Sequence, residues 1–174
     1  ATTAATTADP YAGGIPVDST TTATEEDIPV EPDLPEDDGY TNESAASEIL
    51  YVYNNGEMMS GTAIDIVAGI TQTEVGYTFA PEAIKAQAVA AYTYVKYYNK
   101  YGMYPNVVVS SNVNDSVRTL VESVIGDLIY YNGDIIQSVY SASSAGYTAS
   151  SYNTWGNDYP YLISKYCELD EQYD

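Results

Sequence analysis

Residues 81–102 read Pro-Glu-Ala-Ile-Lys-Ala-Gln-Ala-Val-Ala-Ala-Tyr-Thr-Tyr-Val-Lys-Tyr-Tyr-Asn-Lys-Tyr-Gly. Ile84, Ala88, Ala91, Val95 and Tyr98 recur at alternating spacings of four and three, which draws one apolar stripe along a helix. Pro81 suits the first helical position, where a backbone N–H would have no intrahelical acceptor. Glu82 complements the positive end of the helix dipole, and Gly102 is placed to stop the helix. Ala86, Ala88, Ala90 and Ala91 keep the helix thin enough for a neighbour to approach closely.

The reading extends outward from this helix in both directions. Upstream, Thr62 and Asp65 form a capping pair that opens a helix with Ile64, Val67, Ala68 and Ile70 on one face, running to about Thr73. Before it, Tyr51, Val52 and Tyr53 read as a short strand ended by the turn residues Asn54, Asn55 and Gly56. Downstream, residues 107–109 are three valines and read as a buried strand. Asn114 or Asp115 caps a third helix bearing Val117, Leu120, Val121 and Val124, stopped by Gly126. Residues 128–131 and 135–140 flank Asn132-Gly133, the pair preferred in a type I′ hairpin turn. The remainder is turn-rich and holds the only Trp, Trp155. Three helices mixed with short strands predict a single α+β domain over residues 45–174.

Residues 1–44 have a different character. They hold 11 of the 25 acidic residues and none of the five Lys and Arg. Thr and Ala dominate first, then Pro and acid. The Pro-spaced run over residues 28–35 favours extended or polyproline II backbone, and the apolar content is too low to fold alone. The expectation is an extended acidic tail, acting as a solvated spacer or docking on a neighbouring subunit through Ile28, Val30 and Leu34.

The formal net charge of −20 excludes phosphate-rich partners, because no run of cations exists to neutralise nucleic acid. It disfavours anionic membrane surfaces too, and no apolar run is long enough to span a bilayer. The small residues at Ala1 to Ala5 look like the start of an exported chain after removal of a signal peptide. That points to an extracellular or cell-surface location.

The chemistry open to the chain is narrow. It has no His, so Ser-His-Asp and Cys-His arrangements are excluded unless Lys serves as base. Cys167 is the single cysteine, which leaves a half-buried thiol or an intermolecular disulfide. No metal centre, phosphate loop or cofactor is expected. Carboxylate acid/base chemistry remains. Glu74 stands out at a predicted helix end, beside Val75, Gly76 and Tyr77. Apolar and aromatic neighbours favour the protonated form a general acid needs, whereas a solvated carboxylate at a helix end is the plainer reading.

Residues 66–74 (Ile-Val-Ala-Gly-Ile-Thr-Gln-Thr-Glu) followed by residues 81–94 resemble the signature of the SpoIID/LytB family, in which a helix ends at a Glu and an alanine-rich helix follows. Residues 140–148 (Tyr-Ser-Ala-Ser-Ser-Ala-Gly-Tyr-Thr) are similar to a later motif of that family, and Trp155-Gly156 and Pro160-Tyr161-Leu162 resemble others. The resemblance covers roughly residues 48–170. It implies a cell-wall domain, either a lytic transglycosylase acting on peptide-stripped glycan strands or a modifier of amidases. It implies Glu74 as the catalytic acid/base, with Gln87, Tyr140, Ser143, Ser144 and Thr148 contacting sugar. Several positions depart from the family pattern. Tyr92 replaces an Arg that would make an ion pair, Val75-Gly76 replaces Met-Pro, Ala145 replaces a Gly, and a zinc-binding Cys/His pair is missing. Trp155 reads as an anchor for the C-terminal segment or as a sugar platform.

Two functions therefore follow from the sequence. One is an exported enzyme on peptidoglycan with one catalytic Glu. The other is a non-catalytic subunit of an extracellular filament or a spore or cell-surface layer, in which residues 1–44 of one copy dock on the next. The 20 Tyr residues, which offer large contact areas, and Cys167 suit the second.

Overall fold

The computed structural model of the chain describes residues 42–168 and residue 170. The tail expected over residues 1–44, with Ile28, Val30 and Leu34, lies outside the described residues up to residue 41. The elements, in chain order, are α1 (Asn42–Ser47), β1 (Ile49–Asn54), β2 (Glu57–Thr62), α2 (Ala63–Glu74), α3 (Pro81–Lys100), β3 (Asn106–Val107), α4 (Asp115–Glu122), β4 (Tyr130–Tyr131), β5 (Asp134–Ile135) and α5 (Ser151–Trp155). Helices and short strands mix as an α+β arrangement. The two short helices α1 and α5 and the strand β2 come in addition to the elements read from sequence.

β1 and β2 form an antiparallel hairpin in which Ile49 faces Thr62 and Asn54 faces Glu57. Asn55 and Gly56 take φ of 50° and 86°, the left-handed pair a type I′ turn requires. β2 reads Glu-Met-Met-Ser-Gly-Thr, with no alternation to announce a strand. Its pairing is imposed by the turn and by β1. β3 adds to the other edge of β1 in parallel, giving the order β2-β1-β3. Beyond that short contact the edge of β1 is closed by a side chain. Asn99 of α3 accepts from Tyr51 N at 2.9 Å and donates to Tyr51 O at 2.8 Å.

Leu50 and Val52 point from the sheet into the core, and α2 runs through the core's centre with Ile66, Val67, Ala68 and Ile70 fully covered. The α3 stripe is buried at Ile84, Ala88, Ala91 and Val95, with Tyr98 partly covered. α4 contributes Val117 and Val121 and is capped by Asn114, whose side chain accepts from Ser116 N. Thr62 caps α2 by accepting from Asp65 N at 3.2 Å. The Asp65 carboxylate accepts from Arg118 at 2.8 Å and from the Thr62 hydroxyl at 2.7 Å, and these bonds hold it below the usual carboxylate range. That joins the start of α2 to α4.

Gly69 marks the closest approach in the core. A Cβ there would lie 2.4 Å from Val109 Cγ1 and 2.9 Å from Ser110 O. This approach explains why the strand expected over residues 107–109 is shorter than predicted. β3 covers only Asn106–Val107, Val108 is exposed, and Val109 turns into the core against α2. The ladder is replaced by Asn54, whose amide donates to Val109 O and accepts from Val109 N. The second hairpin has the Asn132-Gly133 turn, with φ of 51° and 82°. It is also shorter than expected. Past Ile136, Gln137 N donates to the Tyr161 hydroxyl at 3.2 Å, so the second arm leaves the ladder for the C-terminal loops. Among the described residues no helix is long and apolar enough to cross a membrane.

Candidate active site

Glu74 is the last residue of α2. The helix ends there because Val75 N and Gly76 N both return to Thr71 O, at 3.0 and 3.3 Å. Gly76 takes φ of 65°, which is open to Gly at little steric cost. Val75-Gly76 thus terminates the helix, and the Glu74 side chain is left exposed at the rim of a cleft.

This cleft of ≈ 400 Å³ is lined by Glu74, Tyr94, Val108, Val139, Tyr140 and Trp155, together with Asn55, Asn106 and Val107. Tyr94 projects from the middle of α3 and meets Tyr98 and Tyr140 edge-on, with ring centroids 4.9 and 6.5 Å apart. Burial pushes the Tyr140 phenol up to about 12, the Glu74 charge adds to the effect, and the Gln87 amide partly offsets it. Burial and a hydrogen bond with Tyr98 likewise push Tyr94 well above the usual phenol range. Both rings therefore stay neutral at physiological pH and offer an O–H. Gln87 Nε2 is buried with no hydrogen-bond partner among the described residues, as is Thr71 Oγ1. The structure thus brings Glu74, Gln87 and Tyr140 into one neighbourhood, although the apolar and aromatic surroundings come from α3 and residues 139–155. Tyr77, the aromatic neighbour in sequence, is exposed.

A second cleft, of ≈ 760 Å³, shares Val139, Tyr140 and Trp155 with the first and continues past Ser143, Ser144, Tyr147, Thr148, Ile163 and Lys165. The hydroxyls expected to contact sugar are engaged in holding this loop. Ser144 Oγ donates to Asp170 at 2.6 Å, and the same carboxylate accepts from Ser144 N at 2.9 Å. Those bonds keep Asp170 below the usual carboxylate range. Thr148 Oγ1 accepts from Lys165 N at 2.8 Å, and Ser143 Oγ accepts from Ala145 N at 3.2 Å. Ala145 occupies φ of 49° and Gly146 follows at 94°, so the position where the resemblance has Gly is a left-handed residue with a side chain.

Trp155 is half-exposed at the junction of the two clefts. The C-terminal segment is also tied by Ser151, buried at the start of α5, whose N donates to Leu162 O at 2.8 Å and whose Oγ accepts from Tyr159 N at 2.9 Å. Tyr92, in place of the family's Arg, is fully buried and donates to Glu48 Oε2 at 2.8 Å. Lys96 donates to both oxygens of that same carboxylate. A polar contact is thus made at Tyr92 without a guanidinium.

Among the described residues no cluster of His, Cys, Asp and Glu could hold a metal ion. Cys167 is half-buried, with Cys167 N donating to Gly146 O at 2.7 Å. Tyr94 and Val108 are site-lining residues that sequence reasoning missed. Tyr94 belongs to a run of tyrosines facing several directions, and Val108 read as strand interior.

Residues 61–142 match the family model described as "SpoIID: Stage II sporulation protein". The chain is 35% identical over 112 residues to a Bacillus subtilis protein named "Amidase enhancer", an alignment covering 60% of this chain and 15% of that protein. It is 32% identical over 113 residues to an uncharacterized protein of Brachyspira hyodysenteriae, covering 56% and 30%. It is 26% identical over 126 residues to "Stage II sporulation protein D" of Bacillus subtilis, covering 58% and 37%. The chain therefore spans between about a seventh and just over a third of the curated relatives it matches. The matched stretch runs from the end of β2 through Glu74 and α3 to just beyond Tyr140, and these residues form a SpoIID-like domain.

Proposed function

We propose that this domain works on the bacterial cell wall, outside the cell, cleaving peptidoglycan glycan strands as a lytic transglycosylase with Glu74 as its acid/base. The observation that carries the reading is the placement of Glu74 at the rim of a cleft walled by Tyr94, Tyr140 and Trp155. One carboxylate is enough for this reaction. The Glu74 acid gives its proton to the glycosidic oxygen as the bond from that oxygen to the anomeric carbon breaks. The carboxylate left behind takes the proton of the same sugar's 6-hydroxyl, and that oxygen closes on the anomeric carbon. The products are a 1,6-anhydro end and a free 4-hydroxyl, with no water consumed. No second carboxylate at a fixed separation is needed, unlike the usual two-carboxylate hydrolase. In this reading Gln87, buried behind the cleft, acts on Tyr140, whose neutral hydroxyl is offered to the sugar beside Glu74. Ser143, Ser144 and Thr148 shape the wall along which the strand lies.

The test is digestion of peptide-stripped glycan strands by the chain and by its Glu74→Gln variant, with products read by mass spectrometry. The expected outcome is 1,6-anhydro-muramyl ends from the native chain and their loss, by a factor of about a hundred or more, in the variant. Folded protein that releases nothing overturns the reading.

A second reading, a non-catalytic subunit of an extracellular assembly, is favoured by one surface. Ile49, Tyr51, Tyr53 and Met58 form the outer face of the β1–β2 hairpin and are all exposed. Identical subunits, linked through this face or through residues 1–44, would give polymers visible by electron microscopy and no glycan cleavage.

A further inference from the structure

We infer that β2 is an open sheet edge on which a second copy of this chain adds its own β2, antiparallel, to close a symmetric pair. The pairing stands whether or not Glu74 reacts. The sheet order β2-β1-β3 puts β2 outermost, and its six residues pair with β1 without a break. Tyr51 N and Tyr53 N donate away from β2, to Asn99 Oδ1 and to Pro105 O, both at 2.9 Å. Antiparallel pairs alternate, so the residues opposite them, Ser60 and Met58, turn their own N–H and C=O toward the outer edge. Among the described residues nothing bonds to those four groups.

The two edges of this sheet are treated differently. The far edge of β1 is closed by β3 and by the Asn99 amide, whereas the outer edge of β2 has neither a strand nor a side chain on it among the described residues. Sheet edges are normally blunted by Lys, Pro, a bulge or short length. Residues 49–62 contain no Lys, Arg or Pro, the register has no bulge, and Glu57 at the turn end is the only charge in β2. The strands β4 and β5, by contrast, are two residues long. Met58 and Ser60 are exposed, so a further strand can reach their backbone.

A second copy brings a strand whose free groups match by symmetry. Met58 of one copy faces Ser60 of the other, each such pair exchanging its backbone hydrogen bonds, and Met59 meets Met59 on the two-fold axis. This register keeps Met58 and Ser60 on the outer face and Met59, which packs against the core, on the inner one. Glu57 then lies opposite Gly61 of the other copy. The two Glu57 residues sit four positions apart along the ladder, about 13 Å, which is more than a Debye length at physiological salt. The strand thus meets itself without opposed charges, although each chain carries a net charge of −20 that makes the pairing salt-dependent. The same patch is used on both copies, so association closes at two. An interface of this few residues is small and therefore reversible.

The test is analytical ultracentrifugation of the full chain from about 5 to about 500 µM, the range of a weak interface, in reducing buffer so that a Cys167 disulfide does not contribute. The expected result is a monomer–dimer equilibrium with nothing larger, several-fold tighter at about 0.5 M salt than at about 0.05 M. Ser60→Pro removes an outward N–H without touching the β1 ladder, and Ser60→Lys places a like charge on each copy beside the axis. Each is expected to weaken the dimer at least about tenfold while the urea midpoint stays close to that of the native chain. Hydrogen exchange locates the contact: the amides of Met58 and Ser60 slow as concentration rises, whereas those of Met59 and Gly61, already bonded to β1, do not. A chain that stays monomeric throughout, a dimer that both Ser60 variants leave intact, or species that keep growing with concentration overturns the pairing. Glu74→Gln is expected to dimerise as the native chain does, so failure of the glycan chemistry and failure of the pairing are read separately.

Discussion

The two sides of the cleft are built by different means. Glu74 and Tyr94 come from α2 and α3, which are held by close apolar packing around Ile66, Ile70, Ile84 and Val95. Tyr140 and Trp155 come from residues 136–168, where Ser138, Gly146 and Ser151 are the only buried residues. That second side is held by point contacts such as those between Thr148 and Lys165, Gly146 and Cys167, and Ser151 and Leu162. Packing is cooperative and fixes the helix end that carries Glu74. Hydrogen-bonded loops open at lower free energy and can adjust their shape. A site assembled across that boundary has one fixed wall and one adaptable wall.

The contrast is broken most directly at Gly69. A methyl group there collides with Val109 and with the backbone at Ser110, and neither is the flexible end of a long side chain. Gly69→Ala is expected to destabilise the whole domain by about 3 kcal/mol, read as a lower urea midpoint at unchanged slope. A cost under about 1 kcal/mol would mean that α2 is not closely packed against residues 109–110. The loop side should answer differently. Ser151→Ala removes the acceptor for Tyr159 N and leaves a small void, a loss of about 1–2 kcal/mol. The expected signature is local: faster amide exchange over residues 148–165 and a shifted Trp155 emission, with α2 and α3 amides protected as before. Faster exchange throughout the domain would show that the two sides are one cooperative unit.

The same boundary divides what was legible in the sequence from what was not. α2, α3 and α4 follow from apolar spacing, with ends marked by Thr62, Pro81 and Asn114, because helix periodicity is local information. β2 was not legible, since its six residues carry no strand signature and only the turn at Asn55-Gly56 and the partner strand create it. Val109 read as strand interior, yet Gly69 gives it a closer berth in the core. Glu74, Gln87 and Tyr140 were reached through the family resemblance, and they do share a neighbourhood. The work of Ser144 and Thr148 in holding the loop depends on Asp170 and Lys165, 26 and 17 residues away, which no local pattern announces. Tyr94 was hidden among tyrosines, since choosing the one that faces the cleft requires knowing what α3 packs against.

The smallest expected effect lies at Ala145, and it sharpens the comparison because it adds stability to the adaptable side alone. An L-residue with a Cβ in the left-handed region carries a strain of about 1–2 kcal/mol. Ala145 is exposed, so its methyl group contributes little packing in return. Ala145→Gly relieves the strain, while the added freedom of Gly in the unfolded chain takes back about 0.4–1 kcal/mol. The net gain expected is about 0.5 kcal/mol, seen as slower amide exchange near residues 144–147. The Gly69–Val109 packing is untouched, so the exchange of α2 should not change. If Ala145→Gly loosens the loop instead, the turn is held by its bonds to Ser143 and its neighbours more tightly than the strain opposes them. The adaptable wall would then be stiffer at this corner than its exposure suggests.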